Sequence, residues 1–215
     1  MQMRMLDLFS GLGGASEAFL DHGWEVWRGD FNELFYNPSS EYYVKNTVKW
    51  NAYTDEVPSG HIDFLWASPP CQEFSLGYNA PRAKAQREGR EYEPDMTFAN
   101  KTKEIIEIVK PRFWAVENVV GASKYFEPIF GKHRILIGAA MIWGNFPIVG
   151  FDAGSRKKKV EVWEIDSPIR SNIRAKMPYW LSEQMRVAVQ YQMMINDFED
   201  SLNDVSWAWN ASKGG

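Results

Sequence analysis

Residues 3–14 read MRMLDLFSGLGG. The first seven have the short, apolar character of a strand buried inside a parallel sheet. The remaining five form a glycine-rich turn, and ASEAFLDHG after them reads as a short helix. A strand, a glycine turn and a helix in succession let a ligand come close to backbone amides. The glycines are Gly11, Gly13 and Gly14, which is not the GxGxxG spacing of dinucleotide folds. A tight turn with no ligand is the plain alternative. WEVWRGD (24–30) is the next strand, and it ends in Asp30. An acid about twenty residues beyond a glycine turn suits the ribose hydroxyls of a nucleoside. Phe31 beside it either stacks on a base ring or joins the core.

The same alternation continues outward. Residues 32–45 are expected to be helical with a break at Asn37–Pro38, and HIDFLWA (61–67) is a strand running into SPPCQ. Residues 76–93 are polar and glycine-containing and are expected to form a long loop. Pro94 and Asp95 then open a helix with Phe98, Ile105, Ile106 and Val109 on one face. RFWAVEN (112–118) is a strand, 131–147 a hairpin, and 151–176 an irregular charged stretch. Pro178 starts a last helix carrying Leu181, Met185, Ala188 and Gln192. The expected organisation is one domain over residues 1–196, with a small insertion at 150–175 and a loose tail over 197–215. Strands alternating with helices predict an α/β fold, a mostly parallel sheet covered by helices on both faces. Ligands of such sheets sit beyond the carboxyl ends of the strands. SGLGG, Asp30, SPPCQ and the Glu117–Asn118 pair all fall at such ends.

Composition narrows the function. The 215 residues carry a net charge of −4, one cysteine and three histidines. One cysteine forms no internal disulfide, and the histidines lack zinc spacing, so no structural metal is expected. No signal peptide or membrane span is visible, and a cytoplasmic location with no membrane partner is expected. A nucleic-acid partner would have to rely on local basic patches. Two exist: RAKAQREGR (82–90), with Arg82, Lys84, Arg87 and Arg90, and the run Arg156, Lys157, Lys158, Lys159.

The lone thiol lies in WASPPCQEFS (66–75). Pro69 and Pro70 fix two φ angles and remove two amide donors, which aims Cys71. A stiff loop at a strand end favours a nucleophile over a packed, inert cysteine. Glu117 follows an apolar strand. Half-buried there, its carboxyl would titrate high and hold a proton at neutral pH; a surface acid or helix cap is the alternative.

Together these pieces resemble the cytosine-5 DNA methyltransferase family. Asp7, Phe9, Gly11, Gly13 and Gly14 match its first motif, D-x-F-x-G-x-G-G. Pro69 to Gln72 with Phe74 and Ser75 match P-P-C-Q followed by F-S, and Glu117, Asn118 and Val119 match E-N-V. RAKMPYWLSEQM (174–185) is similar to its last motif in degraded form. The resemblance implies a Rossmann-like fold and S-adenosylmethionine as cofactor, held by Phe9, Ser10, Gly11, Gly13, Gly14, Asp30, Phe31, Asn51 and Pro69. It implies Cys71 as nucleophile, Glu117 as proton donor, and Arg134 in GKHRILIG for the arginine of the family's Q-x-R-x-R motif. The substrate implied is DNA, its cytosine flipped out or single-stranded. Gln72, Ser75, Arg82, Lys84, Arg87, Arg90, Lys157 and Lys158 would face the nucleic acid. Family members carry a large recognition domain where only about 25 residues, 150–175, stand here. The expected protein is therefore a compact, phage-like member with a short or relaxed target. RNA as substrate, or a non-catalytic cofactor-binding relative with a partner protein for recognition, are the alternatives.

Overall fold

The computed structural model describes residues 2–147, 150 and 167–211, with side chains described as far as residue 201. Its seven-stranded sheet has the order β3-β2-β1-β4-β5-β7-β6. The strands are β1 (Arg4–Leu8), β2 (Glu25–Asp30), β3 (Thr47–Lys49), β4 (Phe64–Ala67), β5 (Phe113–Val119), β6 (Ile135–Ile137) and β7 (Ala140–Asn145). The first five run parallel, while β7 is antiparallel to β5 and to β6. The expected α/β architecture, mostly parallel with a late hairpin, is present.

Alternation along the central strands divides the core. Leu6, Leu8, Leu65, Ala67 and Val116 point to one face, under α4 (Thr97–Val109) and α5 (Ser123–Phe130). Met5, Phe64, Trp66 and Ala115 point to the other, under α1 (Glu17–Asp21) and α7 (Tyr179–Ala211). Burying each such side chain contributes about 1.5–3 kcal/mol, so both faces need cover. On α4, Ile105 and Ile106 supply it. Just before that helix Asp95 Oδ1 accepts from the Thr97 amide, and the helix ends at Lys110 in the left-handed region (φ 49°) just before Pro111. On α7 the buried face is Leu181, Met185, Val189 and Met193. The expected Ala188 and Gln192 lie one residue off that line, because the apolar repeat steps by four.

Four local expectations are corrected. Within 32–45 only α2 (Glu33–Tyr36) is helical, and the short parallel edge strand β3 follows; Pro38 lacks the amide to continue the helix. The expected loop at 76–93 contains α3 (Pro81–Arg87), with Pro81 in its first turn. Within 151–176, residues 170–175 form α6 (Arg170–Ala175). Of the tail expected to be loose over 197–215, residues 197–211 continue α7, and 212–215 lie outside the described residues. The run at 156–159 lies outside the described residues.

Register aligns the active edge. Leu8 pairs with Gly29 and with Ala67, and Ala67 pairs with Val116. One residue further along, Phe9, Asp30, Ser68 and Glu117 therefore stand in a row at the carboxyl edge of four parallel strands: Phe9 and Ser68 just past β1 and β4, Asp30 the last residue of β2, and Glu117 two residues before the end of β5.

Candidate active site

The glycine turn after β1 is built by its own backbone and by a buried polar trio. Gly11 and Gly13 have φ of +50° and +68°, conformations that cost other residues a steric penalty. A Cβ on Gly13 would lie 2.8 Å from the Arg28 guanidinium, which donates to the Gly13 carbonyl and to Ser16 Oγ. Ser16 in turn donates to Asp7. Burial raises the Asp7 carboxyl to about 6 against the opposing pull of Ser16 and Arg28. Burial likewise lowers Arg28. Sequence reasoning missed Arg28 and Ser16, although an arginine inside the apolar strand WEVWRGD was a visible signal of a buried polar contact.

Asp30 ties this turn to the next element. Its Oδ2 accepts from the Gly11 amide at 2.7 Å and its Oδ1 from the Asn32 amide at 2.8 Å. Burial raises its pKa, and the amides of Asn32, Gly11 and Phe31 pull it back. The Phe31 ring is 66% exposed at the strand end, so of its two readings the core is not where it lies. Ser10 Oγ is buried with no hydrogen-bond partner. Phe9, with φ 56°, turns its ring into the core, edge-on to Trp50 at 5.3 Å and Phe98 at 5.6 Å. Asn51 lies just past β3 on the same edge, its Oδ1 accepting from the Tyr53 amide. The last helix reaches this turn too. A Cβ on Gly14 would lie 2.5 Å from the Met177 carbonyl, and Ser182 Oγ donates to the Ala15 carbonyl while accepting from the Ala18 amide.

The thiol loop is held from two sides. Asn118, buried at the end of β5, donates from Nδ2 to the Pro69 carbonyl at 2.9 Å. The Phe74 and Ser75 amides both donate to the Cys71 carbonyl, closing a turn. The Phe74 carbonyl packs so tightly on Gly121 that a Cβ there would meet it at 2.1 Å. Buried Phe74 anchors this end among Tyr125 and Phe126. Cys71 is half-buried and free. Burial pushes its thiol up, and the nearby Glu117 carboxylate pushes it further. Glu117 is itself raised to about 7 by burial, with a hydrogen bond to Ser68 opposing. Ser68 also accepts from the Trp66 indole at 2.8 Å. The clamp residues Asn118 and Ser68 were missed as site residues; the strand-end position of Asn118 was their legible trace.

The structure thus brings Cys71, Glu117, Pro69, Asp30, Phe31, Asn51 and the glycine turn to one sheet edge. Arg134 immediately precedes β6, whose Ile135 is in register with Glu117 two strands across, roughly 10 Å at ordinary strand spacing. It is exposed, with its guanidinium 5.0 Å over the Phe146 ring, and it contacts neither Cys71 nor Glu117.

The basic stretch after the thiol is partly spent on the protein itself. Arg82 donates to the Gly121 carbonyl, Arg87 to the Tyr78 carbonyl while lying 4.0 Å over its ring, and Arg90 pairs with Glu88. Gln72 and Lys84 are exposed. Ser75 Oγ accepts from the Gly77 amide. Lys157 and Lys158 lie outside the described residues. Among the described residues no helix is long and apolar enough to cross a membrane, and no cluster of side chains suits a metal ion.

Comparison with known proteins agrees with this edge. The family model for C-5 cytosine-specific DNA methylases matches residues 3–125. A Frog virus 3 (isolate Goorha) protein named "Probable DNA (cytosine-5)-methyltransferase" is 30% identical over 123 residues, covering 54% of this chain and 53% of its own length. The Type II methyltransferase M.DdeI of Desulfomicrobium norvegicum is 25% identical over 127 residues, covering 55% of this chain and 28% of its own. The chain spans about half or less of the length of these curated relatives. Among solved structures, the Entamoeba histolytica methyltransferase EhMeth aligns with 71% of this chain and 55% of its own at 17% identity and a TM-score of 0.43.

Proposed function

Because this chain belongs to the C-5 cytosine-specific DNA methylase family, we propose that it transfers a methyl group from S-adenosylmethionine to carbon 5 of cytosine in DNA, through a covalent adduct on Cys71. The observation that carries the reading is the pairing at one sheet edge of a clamped, aimed thiol with a carboxyl that titrates near neutrality. The edge fits a nucleoside cofactor. Ser10 Oγ offers an unspent hydrogen bond, Gly11 and Gly13 leave the turn open to close approach, and Phe31 offers a bare ring beside Asp30. Asp30 accepts from backbone amides and keeps spare acceptor capacity for ribose hydroxyls.

Carbon 5 of cytosine is too weak a nucleophile to be methylated directly. Addition of the Cys71 thiolate to carbon 6 changes this, pushing the ring's electron pair toward carbon 5. Protonated Glu117 donates to ring nitrogen 3, so no negative charge is stranded in the ring. S-adenosylmethionine supplies the electrophilic methyl that carbon 5 takes, its methyl–sulfur bond breaking to leave neutral S-adenosylhomocysteine. Loss of the carbon-5 proton to water then re-forms the carbon 5–carbon 6 double bond as the Cys71–carbon 6 bond breaks to release thiolate, and the proton at nitrogen 3 returns to Glu117. The base reaches Cys71 only flipped or single-stranded. Gln72, Ser75 and Lys84, on the loop and helix that follow the thiol, border its entry. The short, relaxed target and the cytoplasmic setting belong to the same reading.

DNA containing 5-fluorocytosine tests it. Fluorine cannot leave as the proton does, so wild-type protein should be trapped covalently, with the adduct mapped to Cys71 by mass spectrometry. Cys71→Ser should lose turnover and keep cofactor affinity. An adduct on another residue, or normal turnover by Cys71→Ser, would refute the assignment.

A further inference from the structure

Consecutive residues of β2, Arg28, Gly29 and Asp30, hold the glycine turn. The Gly29 carbonyl accepts from the Ser10 amide, Asp30 Oδ2 accepts from the Gly11 amide, and Arg28 Nη2 donates to the Gly13 carbonyl at 3.2 Å. The turn closes on itself through the Gly13 amide, which donates to the Ser10 carbonyl. Of these grips, the last of the β2 contacts is the unusual one. It comes from a long charged side chain that is only 4% exposed.

Arg28 also reaches the other way. Its Nη1 donates to the Lys45 carbonyl at 2.8 Å, and its own backbone amide donates to the Asn46 carbonyl at 3.2 Å. Asn46 has φ 65°, a left-handed conformation that residues other than glycine adopt uncommonly. It directly precedes β3, which pairs with β2 from Thr47 opposite Arg28 onward and leads to Asn51. One guanidinium therefore spans from the glycine turn after β1 to the approach to β3. These are the two backbone segments that flank Asp30 in the sheet.

Stability alone does not call for such a residue. A buried charge costs desolvation, and an apolar side chain of similar volume often serves as well. What the guanidinium supplies is direction, a planar fork whose donors face several ways at fixed angles. Its Nε donates to Ser16 Oγ at 2.8 Å, and Ser16 donates on to the Asp7 carboxylate, so the charge has a counterpart.

We infer that Arg28 is a positioning residue for cofactor binding. Its three directed side-chain bonds set the glycine turn and the approach to β3 in the arrangement that receives the nucleoside. The inference rests on the reading of this edge as an S-adenosylmethionine site. Arg28 acts through the turn rather than on the ligand. Without the fork the turn has other conformations open to it, and apparent affinity falls with the fraction of molecules that hold the competent one. The thiol loop follows β4, on the far side of β1 from β2, and none of the Arg28 bonds reaches it.

Calorimetric titration of the full chain with S-adenosylmethionine tests this. Arg28→Lys keeps the buried charge but offers one ammonium in place of the fork. It should stay folded and bind the cofactor about tenfold more weakly, the scale of one hydrogen bond to a charged group. In methyl transfer the KM for cofactor should rise with kcat little changed. Alkylation of Cys71 by iodoacetamide should keep its wild-type rate. Arg28→Met with Asp7→Asn removes both charges together; it should show the same split, and it carries the test if Arg28→Lys does not fold. Wild-type cofactor affinity in either folded variant overturns the inference. So does a loss of affinity matched by an equal change in Cys71 alkylation, or failure of both variants to fold, because Arg28 then supports the whole domain rather than the turn. A wild-type chain that binds no S-adenosylmethionine removes the reading itself, and this inference with it.

Discussion

Cys71 and Glu117 set each other's protonation. The thiol is raised first by burial and then by the Glu117 carboxylate, while Glu117 sits near 7 because burial disfavours its charge. Protonating Glu117 therefore removes one of the two causes that hold the thiol up, so the form of the site that reacts is also the form in which Cys71 ionises more readily. Glu117→Gln should lower the pH midpoint of Cys71 alkylation by iodoacetamide, while methyl transfer falls about 10²–10⁴-fold for loss of a proton donor. An unchanged alkylation midpoint would separate the two groups. The same shift has a sign in stability. A carboxyl whose pKa is raised on folding from 4.5 to about 7 makes the folded state lose stability as pH rises through that window. Glu117→Gln lacks this loss. Its stability relative to wild type should grow between pH 4.5 and about 7, read as thermal melts across the range, and level off above it. Asp30→Ala should weaken S-adenosylmethionine binding in calorimetric titration, because the carboxylate both faces the ligand edge and fixes the Gly11 amide.

The loops around these residues depend on contacts between elements. Asn118→Ala would leave the Pro69 carbonyl without its donor, a loss of about 1–3 kcal/mol for a buried polar group, and would free the thiol loop. Turnover should fall with cofactor affinity unchanged; equal loss of both would mean that Asn118 supports the whole domain rather than the loop. Arg82 and Lys84, two residues apart on α3, should behave differently. Arg82→Ala removes a bond to Gly121 beside the thiol loop, so thermal stability should drop. Lys84 is exposed, and Lys84→Ala should leave the melt alone and reduce the slope of log affinity for DNA against log salt by about 0.9, one phosphate contact. The helix in which both lie was not apparent beforehand. Its residues are polar and its glycine neighbours suggest a loop, whereas Pro81 in the first turn and buried Ala85 secure a helix once the rest of the domain is there.

At the level of the whole molecule, the sheet edge is assembled from segments far apart in the chain, and α7 closes it from behind. Gly14 leaves room for the Met177 carbonyl, and Ser182 bridges Ala15 and Ala18. Gly14→Ala would drive a methyl group into that carbonyl, so the contact between the glycine turn and the last helix must open. Reduced thermal stability together with weakened cofactor binding is the expected result. Unchanged melting would show that the C-terminal helix is not coupled to the turn.

Much of this was written in local sequence. Strands such as MRMLDLF and HIDFLWA are apolar runs that must be buried, so their alternation with helices determined a mostly parallel sheet. The glycine turn, the Pro-Pro-Cys loop and the strand-end Glu117 carried their chemistry in residue type and spacing. Other features belong to no single stretch. The three-residue β3 is too short to have a period and exists by pairing with β2. The partners of Asp30, Asn118 and the arginines of α3 are backbone groups, which every residue possesses and no sequence pattern marks. The helical course of residues 197–211 was hidden by acids that read as solvent-facing. Only the position of α7 against the sheet separates its buried line, Leu181, Met185, Val189 and Met193, from the exposed Tyr191, Met194, Ile195 and Phe198. Local pattern determines which face of a segment is apolar; what covers that face depends on segments distant in sequence, and the tertiary structure decided it.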